Sequence, residues 1–154
     1  HLLLTPWGVT VLTVMNTEGP VTVQGTRWRD ARPLLRRVLA LGRRPVRDPS
    51  RLLELEIDAL RRALVERDDG LADTAIDMAA VFSRPGMVLA ASEPNIPALR
   101  ADALRDWLRA GAKRPPLSPA ERRRLERTLE ALAEERLAAD RPKPRRTRPS
   151  PRRR

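Results

Sequence analysis

Between two β-rich stretches this chain carries one long helix-period stripe, and that order constrains its fold more than any other feature. Leu53, Ile57, Leu60 and Leu64 recur at spacings of four, three and four, which lines them up on one side of an α-helix. Asp48-Pro49 supplies a start, with Asp as the cap and Pro at the first helical position. Asp68-Asp69-Gly70 supplies a stop. Ahead of this helix, Leu2–Leu4, Val9–Met15 and Val21–Gln24 are apolar, β-branched or alternating, as strands are. The turns Thr5-Pro6-Trp7-Gly8 and Thr17-Glu18-Gly19-Pro20 separate them, and Gly25–Trp28 closes the region. This reads as a three-stranded meander. Ala31–Leu41 can form a short helix ended by Gly42. Beyond the long helix, Ala75–Phe82, Met87–Ala91 and Ile96–Leu99 read as strands, and Ala101–Ala110 as a helix stopped by Gly111. Ser118-Pro119-Ala120-Glu121 is a capping box opening a last helix with Leu125, Leu129 and Leu132 on one face. A long helix between strands is a crossover, so the expected class is α/β, a mixed sheet flanked by helices.

A chain of 154 residues suits one domain with its own core. The absence of cysteine excludes disulfides and Cys-based metal centres. The single histidine, His1, cannot build a histidine-rich metal site, and its position suggests a frayed end. No stretch approaches the roughly 20 apolar residues that span a bilayer, and no signal peptide is visible. The expectation is a cytoplasmic protein with no membrane and no small-molecule partner. The chain opens on His1 rather than Met, which suggests trimming, processing or a fragment of a longer reading frame.

Charge is unevenly distributed. The net charge is +11, and residues 141–154 contribute +8 of it from Arg141, Lys143, Arg145, Arg146, Arg148, Arg152, Arg153 and Arg154, with no acid. Four prolines and no apolar side chain in that segment predict an extended, disordered tail. Such a tail can bind nucleic acid by displacing counterions from phosphates. The same composition also suits a solubilising segment written in the arginine and proline codons of a GC-rich genome. The chain divides into residues 1–116, an α/β domain; 117–140, a C-terminal helix; and 141–154, the basic tail.

The run from Leu2 to Trp28 resembles the central strands of the nuclease-related domain (NERD) family, of restriction-endonuclease-like PD-(D/E)XK type. Gly8, Val11, Leu12, Val14, Asn16, Gly19, Val21, Val23, Gly25 and Trp28 fall where that pattern has them. Downstream, Pro49 with the Leu53–Leu64 helix, Ala80-Val81-Phe82-Ser83, Asn95-Ile96-Pro97 with Leu104–Leu108, and Leu117–Leu129 continue it in order, so the resemblance covers Leu2 to about Leu132.

The resemblance implies a metal-dependent DNA nuclease in which a Glu-x-Lys pair on the second strand works with an Asp on the first. The carboxylates hold Mg²⁺, which polarises phosphate and water, and the lysine supports the nucleophile. Residues two apart on a strand share a face, hence the spacing. Here those two positions hold Thr13 and Met15, and only the following Asn16 is retained. The family's Asp would lie immediately before His1, and the helix bearing its first Glu further upstream. The expectation is therefore a DNA-binding, DNA-processing domain without intact catalytic residues, metal ligands or cofactor, with Mg²⁺ entering only if an upstream segment completes the site. Glu18 is the candidate for a migrated acid, with Asp30 and Asp77 as weaker ones. Each also reads as an ordinary turn or edge carboxylate. Trp7, Trp28 and Trp107 read as packing residues rather than base-stacking platforms. Two alternatives stay open: a fragment of an active Mg²⁺-dependent endonuclease, and a protein–protein interaction module with a solubilising tail. The sequence leaves oligomeric state undetermined.

Overall fold

Strand β2 (Gly8–Met15) organises the fold because the first half of its apolar, β-branched run, Gly8–Val11, is buried on both sides. In this computed structural model, which describes residues 1–32 and 46–139, β1 (Leu2–Thr5) folds back on it as an antiparallel hairpin. The chain later returns through α1 (Ser50–Arg67) to β5 (Ile76–Phe82), which runs parallel to β2 from Val9↔Ile76 to Met15↔Phe82. Strand β7 (Ala98–Arg100) adds in parallel to β5, giving the order β1-β2-β5-β7.

A second sheet takes the remaining strands. β3 (Val21–Gln24) pairs antiparallel with β4 (Arg27–Asp30) and parallel with β6 (Leu89–Ser92), in the order β4-β3-β6. The mixed α/β class is as the sequence implies, but the single sheet and its N-terminal meander are not. The first strands divide between two mixed sheets, and Arg27–Asp30 is a strand rather than a closing segment. Gly25, at φ +54°, turns the chain between β3 and β4. The alternation then keeps Val21, Val23 and Trp28 buried while Thr22, Gln24, Arg27 and Arg29 are exposed. The helix expected over Ala31–Leu41 falls, apart from its first two residues, outside the described residues.

Both sheets and α1 share one core. Val11 and Phe82 come from the first sheet, Val23 and Trp28 from the second, and Leu53 and Ile57 from α1. Trp28 and Phe82 stack with ring centroids 6.1 Å apart. Each such side chain contributes about 1.5–3 kcal/mol on burial, so the two sheets are joined by the strongest stabilising term available.

The remaining helices follow the sequence closely. At the start of α1, Ser50 donates from its N–H (2.9 Å) and hydroxyl (2.6 Å) to Asp48 Oδ1, so the Asp48 side chain engages the first turn, although Pro49 rather than Asp48 stands at the cap position. A 3₁₀ turn, Ala101–Ala103, leads into α2 (Leu104–Gly111). The capping box forms in full at α3 (Pro119–Ala139): Glu121 N–H donates to Ser118 Oγ at 3.2 Å, and Ser118 N–H donates to Glu121 Oε2 at 2.8 Å. Leu125, fully buried, docks α3 against Val9, Leu64 and Leu71.

Arg124 reinforces this docking by pairing with Asp68 at the end of α1. The bond from Arg124, with help from the Gly70 N–H, holds the Asp68 carboxyl below its ordinary value of 3.8. Hydrogen bonds from Ser118 hold Glu121 below its ordinary 4.5. A lowered carboxylate stabilises the fold above its unfolded-state value and loses that effect as pH falls through the folded one. Stability is therefore expected to decline on acidification through 4.5 and below 3.8. Asp68→Asn should be less stable than the parent at neutral pH, and the gap should close below pH 3.8. Denaturant midpoints across pH measure this, and a gap that stays constant contradicts the pairing.

Candidate functional site

Thr13 and Met15 lie on the same side of β2, paired with Ala80 and Phe82 of β5. That side also carries Val11 and faces the shared core, where Met15 packs against the buried cluster and Thr13 is half-buried. The two positions thus share a face, but the face is filled by protein. A shallow recess of about 520 Å³ beside Leu104 and Leu108 and a smaller one of about 220 Å³ between Trp7 and Trp107 are lined by other residues.

The parallel pairing of β2 and β5 brings their carboxyl ends together, the edge at which α/β sheets bind ligands. Ser83 N–H donates to the Met15 carbonyl at 3.2 Å, which sets Arg84 beside Asn16 and Glu18. Arg84 Nε donates to Asn16 Oδ1 at 2.7 Å, and a terminal guanidinium nitrogen lies 3.1 Å from Glu18 Oε1. Asp30, at the end of β4, accepts from Arg32 Nε with both oxygens at 2.9 Å. That hydrogen bond raises the Arg32 pKa against the opposing effect of burial, and Coulombic attraction from Asp30 and Glu18 adds to the rise.

Glu18 and Asp30, two of the three acids considered as metal ligands, therefore face arginines. A carboxylate engaged by a guanidinium has its oxygens committed to N–H donors and a fixed positive charge beside it. This arrangement favours an arginine-bridged edge over a divalent cation at the same oxygens. Among the described residues, no three of His, Asp and Glu come together as a metal-binding group.

Asp77 is engaged by an indole and an arginine. It lies in the first half of β5, which pairs with β2 on one side, whereas β7 pairs only with Ala80–Phe82, so its edge position is as the sequence suggests. It accepts from Trp7 Nε1 at 3.1 Å and from Arg114 at 2.8 and 2.7 Å. Its role is to tie the β1–β2 turn and the segment after α2 to the sheet. Trp7 and Trp28 are buried packing residues, as expected. His1 is not frayed: its amino group donates to the Leu12 carbonyl at 2.8 Å, and its carbonyl accepts from Leu12 N–H at 2.7 Å. Arg141, Lys143, Arg145, Arg146, Arg148, Arg152, Arg153 and Arg154 lie outside the described residues. Nothing in the sequence singles out Arg84, because only the β2–β5 pairing carries it to Asn16.

Comparison with known proteins gives no match: no family model, no curated protein and no solved structure is similar to this chain. No helix among the described residues is long and apolar enough to cross a membrane.

Proposed function

We propose that the chain is a nuclease-related domain of restriction-endonuclease-like kind that binds DNA without cutting it. The observation that carries this reading is the edge at the end of β2. By the family resemblance Thr13 and Met15, on the core-facing side just before that edge, stand where an acid and a lysine would, and at the edge Glu18 is paired with Arg84 while Asn16 accepts from it. Supporting it are the β1–β2 hairpin, the crossover helix α1 and the parallel return through β5. The net charge of +11 favours a polyanionic partner.

Hydrolysis of a phosphodiester needs an activated water and a cation at the developing charge. Thr13 can hydrogen-bond but carries no charge, and Met15 has no proton to give or accept. The guanidinium of Arg84 is permanently charged but is engaged by Glu18, and it cannot lower the pKa of a bound water as a metal does. The edge therefore leaves cleavage without an activated nucleophile, and binding is assigned to the net positive charge of the chain.

The test is incubation of the full chain with labelled duplex DNA at several salt concentrations, with and without Mg²⁺ or Mn²⁺. Binding is expected, weakening steeply as salt rises, with the DNA intact in every lane. Metal-dependent cutting would instead identify an active endonuclease. Negligible affinity at about 50 mM salt, where phosphate binding is strong, would point to a protein–protein interaction module.

A further inference from the structure

The outer face of the second sheet carries two exposed arginines and no acid. The residues that turn away from the core are Thr22 and Gln24 on β3, Arg27 and Arg29 on β4, and Ala90 and Ser92 on β6. All six are exposed, and their register places Arg29 opposite Thr22, Arg27 opposite Gln24, and Ser92 beside Gln24. None of the six is acidic. Asp30, next on β4, alternates to the other side and engages Arg32. Glu93 follows β6 in a turn with positive φ.

Arg84, Arg100, Arg114 and Arg124 each face a carboxylate. No hydrogen bond or ion pair engages Arg27 or Arg29 among the described residues. Arg51, Arg105, Arg122 and Arg123 also lack an ion pair among the described residues, but they share their helices with acids such as Glu54, Asp106, Glu121 and Glu126. The charge of Arg27 and Arg29 is therefore not offset within the described part of the protein, and a Thr, a Gln and a Ser beside them offer donors that suit phosphate and sugar oxygens.

We propose that this face is where the sugar–phosphate backbone of duplex DNA lies against the folded body. The inference rests on the DNA-binding reading above and adds the place of contact. Two residues apart on a strand, Arg27 and Arg29 are about 7 Å from each other, a span of about two phosphates of one DNA strand at about 3.4 Å of axis apiece. The face has no aromatic side chain, so it has no platform on which unpaired bases could stack. Short polar side chains and two cations suit contact with the backbone, independent of base sequence.

The experiment is a titration of the full chain against a fluorescent duplex between about 50 and 200 mM salt. The double variant Arg27→Gln/Arg29→Gln is expected to bind about tenfold or more weakly at low salt. The slope of log affinity against log salt should be reduced by about 2, roughly one for each phosphate no longer neutralised. Thr22→Glu, which places a carboxylate opposite Arg29, should weaken binding in the same direction. Arg27→Lys/Arg29→Lys should keep the parental slope. Arg105→Gln/Arg109→Gln removes the same charge from α2 and should leave the slope unchanged. Circular dichroism and thermal melting establish that each variant is folded. A single strand of equal length should bind more weakly than the duplex.

A parent that binds duplex with an Arg27/Arg29 variant indistinguishable from it overturns this inference and leaves the DNA-binding reading intact. An equal loss in the Arg105/Arg109 variant also overturns it, because the effect is then one of net charge alone. Tighter binding of the single strand does so as well. A parent with no affinity overturns both.

Discussion

Gly8→Ala is expected to destabilise the protein by about 3–5 kcal/mol, the sum of an overpacked contact and a broken hydrogen bond at a site that cannot relax. A Cβ on Gly8 would lie 2.2 Å from the carbonyl oxygen of Ala75 and 3.0 Å from its carbonyl carbon. Both are backbone atoms, so no rotamer change relieves the clash. Gly8 also has φ +153°, which L-residues rarely adopt. The same Ala75 oxygen accepts from Val9 N–H at 2.9 Å and so begins the β2–β5 pairing. Moving Ala75 away to admit a methyl group would loosen the parallel pair at its first rung. Gly25→Ala is the matched control. Gly25 also has positive φ, +54°, but nothing lies within 4 Å of the added Cβ, so the cost should be about 1–2 kcal/mol of backbone strain alone. Chemical denaturation of both variants measures the difference. Equal losses would show that β2 and β5 do not approach as closely at Gly8 as described.

The parts of the fold that are legible in the sequence are those in which a local pattern fixes the outcome. The 4-3-4 stripe of Leu53, Ile57, Leu60 and Leu64 gives α1 because a helical period has no other way to bury four apolar residues together. The Ser118–Glu121 box marks a helix start because both of its hydrogen bonds are local. Strand pairing is different. Val21-Thr22-Val23-Gln24 alternates identically whether it lies beside β2 or beside β4 and β6, since alternation specifies a face but not a neighbour. Arg27-Trp28-Arg29-Asp30 does not read as a strand because arginine and aspartate seldom favour one. Its buried Trp28 between two exposed arginines is the signal that the pattern contains. What the sequence shows of the proposed site is that Thr13 and Met15 bring neither a charged metal ligand nor a cation, because residue identity alone decides that. It is not legible in its pairings. Glu18 and Asp77 look like ordinary acids in the sequence. The β2–β5 register brings Arg84 to the first, and the packing of the segment after α2 brings Arg114 to the second.

Deleting residues 141–154 is expected to change DNA binding more than any substitution in the folded body. That segment holds eight cations and no acid, whereas the proposed contact face of the body supplies Arg27 and Arg29. If all ten engage phosphates, log affinity should fall against log salt with a slope of about −9, at roughly 0.9 per contact. A fourfold rise in salt, from about 50 to 200 mM, would then weaken binding by about 10⁵-fold. With the segment removed, two contacts give a slope of about −2 and a loss of only about tenfold over the same range. The two forms should therefore differ far more at low salt than at high salt, where counterion release contributes least. A purely solubilising segment predicts the opposite pattern: equal slopes and equal affinities, with a difference only in the concentration at which the protein precipitates. Parallel titrations of the two forms separate these cases, because the slope counts phosphates neutralised and does not respond to solubility.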